Sequence, residues 1–219
     1  GSGRELTFTA TRLEGFEGAI EINVENLPAG FTFHGPVVIE EGQLRAFGVL
    51  SAAADAADPS DEADKAVRVV ATVGAPDETA APATVELGTL GNLQLGPAAK
   101  LTVAITETGS TAPVAEARQS VPHFTIHPGE TLTARVVAER HDFGGRISFG
   151  TEDSGRNLPY GVFVDNIGLN GLMIVEGQTE REFFITASPV ARPGRRLFHL
   201  RANDDGGQCS LPVVIEVLP

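Results

Sequence analysis

The 219-residue sequence has no tryptophan, one tyrosine (Tyr160), one methionine (Met173) and one cysteine (Cys209). A single cysteine excludes an intrachain disulfide and a four-cysteine zinc site. With so few ring-bearing polar residues, the exposed aromatic platforms that sugar binding usually uses are scarce. Uninterrupted apolar runs are only a few residues long, far short of the ~20 that a membrane-spanning helix needs, so no membrane insertion is expected. Basic residues are also in short supply: 16 Lys and Arg stand against 29 Asp and Glu, a formal net charge of −13. That balance argues against a nucleic-acid ligand, whose affinity rests on cations neutralising phosphates, and against an anionic membrane surface. The deficit is uneven, with 16 acids and 6 bases in residues 1–110 but 13 acids and 10 bases in 111–219.

What the chain does have is 25 glycines, 14 prolines and 42% hydrophobic residues, a composition that turns often and still fills a core. Many short strands satisfy both demands. The punctuation repeats itself, the sequence sign of a duplicated unit. "RLEGFEGAI" (12–20) is matched by "RHDFGGRI" (140–147), "LPAG" (27–30) by "LPYG" (158–161), and "IEEGQ" (39–43) by "IVEGQ" (174–178). Matched anchors are 127 to 135 residues apart, and the offset rises along the chain up to the Glu-Gly-Gln motif. Loop growth between retained strands produces such a drift.

Each anchor has a structural reading. Phe-x-Gly places a glycine in a hairpin turn that needs positive φ, with a ring beside it to close the end of a sandwich. Leu-Pro-x-Gly is a turn whose proline presets φ and whose glycine takes the left-handed conformation. Glu-Gly-Gln is a tight turn before the next strand. "TLTARVVAER" alternates with period two, placing Leu132, Ala134, Val136 and Ala138 on one face and Thr131, Thr133, Arg135 and Val137 on the other.

The expected fold is therefore all-β, two tandem immunoglobulin-like antiparallel β-sandwiches. Domains are expected at 4–107 and 121–219, joined by a linker over 108–120 where small and polar residues predominate. The second half supplies eight strand-like segments, beginning with "HFTIH". The first half starts at "ELTFTATR", the counterpart of the second of these, so its first strand is missing or was cut from a larger chain. Gly1-Ser2-Gly3 has the look of a cloning remnant. Residues 52–65 read as a long acidic loop with a helical turn.

The second half, "FGGRISF...NLPYGVFVDNIGLNGLMIVEGQTEREFFITA...RLFHLRA", resembles immunoglobulin-like repeat domains of large secreted bacterial proteins of planctomycete type, often found near pre-peptidase C-terminal β-domains. The resemblance covers 121–219, and the first half follows it through the three anchors. It implies an extracytoplasmic, non-catalytic accessory module and supplies no catalytic residues.

The reactive side chains point the same way. There is no Gly-x-Ser-x-Gly elbow around a nucleophile, and Ser154 merely has an acid beside it in sequence. His123 and His127 have a helical zinc spacing but lie in an alternating strand, where residues four apart are separated by ~13 Å. His141 and His199 read as ordinary surface or rim residues, and Met173 as core filling. No enzyme and no required cofactor are expected. Calcium is the ion for which ligands can be named, Asp153 in "TEDSG" and Asp204 and Asp205 in "NDDGG", although neither loop has the spaced ligands of a strong calcium motif. Loop 151–171, the longest addition to the second copy, is the expected partner-binding segment, with Tyr160, Asp165, Asn166 and Asn170 as its contact residues. The expected role is a structural or protein-interaction module of a larger exported bacterial protein. Its partners would be other domains of that chain or a cell-envelope protein; a carbohydrate-binding accessory module of a surface enzyme is the alternative.

Overall fold

A computed structural model describes residues 1–74, 82–150, 154–165 and 168–219. The chain is all-β and sandwich-like, with two short helices, and divides into two compact units. The first unit comprises Gly1 and Leu6–Pro97, and the second Ser2–Glu5 and Ala98–Pro219.

The first unit is built from the part of β1 (Ser2–Thr9) that starts at Leu6, and from β2 (Ile20–Glu25), β3 (Phe31–His34), β4 (Val37–Ile39), β5 (Arg45–Ala52), α1 (Asp61–Ala66), β6 (Arg68–Val73) and β7 (Ala83–Gly88). Strands β1, β5 and β3 are neighbours in one sheet, and β4-β2-β6-β7 form the other. Ile22, Val24, Val37, Ile39, Val69 and Ala71 form the buried core. Within the acidic segment, Ser60 accepts a hydrogen bond from the Ala63 amide and starts α1 as an N-cap.

The second unit continues with β8 (Leu101–Glu107), α2 (Val114–Ala117), β9 (His123–Ile126), β10 (Thr131–Arg140), β11 (Ile147–Ser148) and β12 (Gly155–Arg156). Then come β13 (Val162–Asp165), β14 (Met173–Ile174), β15 (Glu180–Ala187), β16 (Gly194–Leu200), β17 (Gln208–Cys209) and β18 (Val213–Val217). The sheets run β13-β15-β10-β8 and β12-β16-β18-β9, with β11 paired to β14. One pairing departs from the antiparallel expectation: β9 runs parallel to β18, Ile215 opposite Phe124 and Val217 opposite Ile126. The inward row of β10 is as read from its alternation, with Ala134, Val136 and Ala138 buried. Its outward Val137 is also buried, because α2 lays Val114 and Ala117 over it and Ala104.

The division between units falls after Pro97, ahead of the expected boundary at 107. Strand β8 pairs with β10 over seven residues, from Ala134 opposite Glu107 to Arg140 opposite Leu101, and buries Leu101, Val103 and Ile105 in the second core. Within the expected linker, α2 packs on that sheet. Small polar composition marked the loop, but burial of β8 decides ownership.

The repeated anchors make repeated contacts. Arg12 Nε donates to the Gln43 carbonyl (2.9 Å), Nη1 to those of Phe16 and Gly18, and Nη2 to that of Glu40. Arg140 treats Gln178, Phe143, Gly145 and Val175 in the same way. Each guanidinium also lies over the ring of the motif, 5.6 Å from the Phe16 centroid and 5.9 Å from that of Phe143. Ile20 opposes Ile39 and Ile147 opposes Ile174, so the same apolar pair is closed in both units. Gly30 and Gly161 share φ +83°, and their carbonyls accept the amides of Ala53 (2.7 Å) and Ser188 (2.8 Å). The glycine of Phe-x-Gly has a different reason from the one expected. Positive φ in the first copy falls on Glu14 and Gly15, while a Cβ on Gly18 would lie 2.8 Å from the Phe16 ring. In the first copy the ring therefore lies close against the backbone; in the second a Cβ on Gly145 would meet the Phe143 ring at an ordinary 3.6 Å, and what the two glycines share is a carbonyl that accepts from arginine.

Candidate functional site

Strand β13 is the edge strand of its sheet. Next to it lies an open cleft of about 310 Å³, lined by Asp165, Asn170, Met173, Arg181, Glu182 and Phe184 among others. The register explains the polar and apolar mixture. Asp165 opposes Phe184 and Phe163 opposes Thr186, so these four face away from the core, whereas Phe183 and Ile185 point into it. The Asp165 carboxylate accepts the Thr186 hydroxyl at 3.1 Å, and Thr186 in turn meets the Thr131 hydroxyl at 2.8 Å. Gly168 and Gly171, both at positive φ, carry the turn that lifts Leu169 entirely into solvent. The cleft presents two carboxylates, one guanidinium, an amide and large apolar groups. Such a set can hold a polypeptide surface.

Asp165 and Asn170 thus sit together at the cleft, and Asn166 and Asp153 lie outside the described residues. Tyr160 is exposed on the Leu-Pro-Tyr-Gly turn, but it does not line the cleft. Met173 is half-buried at the cleft instead of filling the core; Leu172 and Ile174 on either side are the buried ones. Sequence reasoning missed Phe184, although the doubled ring of "REFFITA" is a signal: in a strand, one of two adjacent rings must face out.

Both candidate calcium ligands in "NDDGG" hold backbone. Asp204 accepts the Ser148 amide at 2.9 Å. Asp205 accepts the amides of Lys100 (2.7 Å) and Leu101 (3.2 Å) and the Gln208 side chain (3.0 Å). Burial pushes the Asp205 carboxyl up, but those donors and nearby Arg4 outweigh it and hold the group below its ordinary value. Among the described residues no group of three or more His, Cys, Asp or Glu is arranged to hold a metal ion.

Ser154 is buried and donates to the Gly150 carbonyl at 3.0 Å. His123 meets the Glu216 carboxylate at 2.8 Å, and His127 the Pro219 carbonyl. His199 is neither surface nor rim: it is 1% exposed, because its strand turns that face toward Ser2–Glu5. Its Nε2 lies 3.0 Å from the Glu5 carboxylate, which also meets Arg156 at 3.1 Å, with Arg201 at 3.8 Å. Burial lowers the His199 pKa, and Glu5 offsets part of that. Nearby Cys209 is buried, its thiol pushed up to about 12, first by burial and then by Glu5. This is the inert end of cysteine chemistry.

No helix among the described residues is long and apolar enough to cross a membrane. No protein-family model matches the chain, and no curated protein matches it. Among solved structures, the chain is similar to a family 123 glycoside hydrolase from Clostridium perfringens, at 13% identity and TM-score 0.33, over 54% of this chain and 27% of that one. It is also similar to a Corynebacterium diphtheriae protein described as membrane anchored, at 12% identity and TM-score 0.29, over 99% of this chain and 56% of that one. The chain thus spans about a quarter of the first protein and a little over half of the second.

Proposed function

We propose that the chain is a non-catalytic structural and protein-interaction module, two tandem immunoglobulin-like sandwiches within a larger exported bacterial protein. The observation that carries this reading is the cleft beside the edge strand β13, lined by Asp165, Asn170, Arg181 and the outward Phe184. Aromatic and guanidinium groups of this kind anchor protein interfaces, and the rim charges set orientation. The matched arginine corners support the tandem reading, since both units close the same turn with the same four-carbonyl grip. Against an enzyme stand the positions of Ser154, Asp204 and Asp205, whose polar atoms are engaged in holding backbone. The partner is a cell-envelope protein or another domain of the same chain, in an extracytoplasmic setting.

The test is capture from a cell-envelope extract of the source organism with the full chain, beside a Phe184→Ser, Leu169→Ser variant. Enrichment of one protein by the native chain and its loss in the folded variant is the expected result. Equal recovery by both removes the cleft from the interface.

A further inference from the structure

The two units end on strands of the same pattern and differ in what lies next to them. Residues 83–87, "ATVEL", and 213–217, "VVIEV", both alternate apolar residues with a glutamate in the fourth place. In the second unit β9 lies along β18, adding Phe124 and Ile126 to the core, and Val213, Ile215 and Val217 are all buried. In the first unit β7 is the last strand of its sheet, with β6 on one side and no described strand on the other. Val85 opposes the buried Ala71 and so occupies the core-facing side of β7, and Leu87 is the extra residue of a bulge between Glu86, opposite Val70, and Gly88, opposite Val69. Yet Val85 and Leu87 are 53% and 57% exposed. An exposed edge that carries large apolar side chains is a template for another strand.

Charge identifies the kind of strand. The first unit carries 14 acidic and 4 basic side chains, a net of −10. At the corresponding edge of the second unit, β9 brings His123 to the Glu216 carboxylate at 2.8 Å. On β7 Glu86 meets Arg68 at 2.9 Å across the pair with β6, which leaves the field of the unit strongly negative.

We propose that the free edge of β7 binds an extended, basic segment of another polypeptide as an added parallel strand. Two large apolar side chains at alternate positions cover Val85 and Leu87, as Phe124 and Ile126 cover the core beside β18. This surface lies on the first unit, so the inference stands apart from the cleft on the second and does not depend on it.

The probe is a fluorescent peptide with the sequence of residues 121–128 and two lysines added at each end, titrated into the full chain and followed by anisotropy. Saturable binding at micromolar concentration is expected, with amide-exchange protection confined to β7. A Val85→Lys, Leu87→Lys variant is expected to bind about tenfold or more weakly, since two apolar contacts are lost. Both positions are exposed, so this variant keeps its fold, as circular dichroism would verify; the protection pattern on the native chain tests the site without any variant. No saturation by 1 mM (roughly the weakest specific binding on the affinity scale) overturns the proposal. So does equal binding by the double variant, by a glutamate-flanked peptide or by a peptide with Phe and Ile placed side by side. Concentration-dependent self-association through β7, seen by sedimentation, also overturns it, because the occupant is then a second copy of this chain.

Discussion

Arg12 and Arg140 show why the anchors are spaced as they are. A planar guanidinium with five donors can serve four carbonyls that converge from a hairpin and from the turn after the fourth or fourteenth strand, and an ammonium cannot. Arg140→Lys is therefore expected to lower the stability of the second unit by about 2–4 kcal/mol, the scale of losing charged hydrogen bonds while leaving carbonyls unpaired. Denaturant unfolding would measure it, and a loss below about 0.5 kcal/mol, the range of ordinary surface changes, would rule the grip out as a structural anchor. His199 gives a second expectation. Its folded pKa is depressed by burial among Glu5, Arg156 and Arg201, so between that value and the ordinary 6.5 the unfolded chain takes up a proton that the folded chain refuses. Stability from this source is complete above about pH 6.5 and falls as pH drops below it. The midpoint of the second unit should decline from pH 7 to 5 in the native chain, and His199→Gln should flatten that slope. The Asp205 carboxyl, also depressed, contributes above its unfolded value near 4 and is lost only at lower pH, so the two effects separate.

Strand β9 separates the two halves most clearly. Phe124 is buried beside β18 and belongs to the second core, so Phe124→Ala is expected to cost about 3–5 kcal/mol. Val85→Ala on β7, whose side chain is half in water already, should cost under about 1 kcal/mol in the absence of a partner. Calorimetry of the two variants distinguishes a completed edge from an open one; equal losses would mean that β7 is covered. The alternation of "HFTIH" was legible in the sequence as a strand of the second unit. That β9 runs parallel to its neighbour was not legible, since period two is the same in either direction.

Two cores in one chain make stability a property of each unit. The second unit includes Ser2–Glu5, which lie far from it in sequence, and the Glu5 carboxylate faces Arg156 and His199 inside it. Glu5→Ala leaves those groups without their counter-charge and is expected to destabilise the second unit by about 3–5 kcal/mol, with the first little changed. A two-transition melt resolves this, and a shift confined to the first transition would contradict it. Alternation, turn residues and the repeated anchors determined the all-β character, the strand positions and the faces of β10, because these depend on neighbours in sequence. Asp165 and Asn170 were named from loop length, and the doubled ring of "REFFITA" already marked one ring as outward; that Phe184 and Met173 line the same cleft depends on the pairing of β15 with β13. Ownership of β8, burial of His199 and the engagement of Asp204 and Asp205 with distant amides were decided by the tertiary structure. Each depends on residues up to about two hundred positions away, and only the folded chain brings such groups within hydrogen-bond reach, where desolvation and pairing set what they can do.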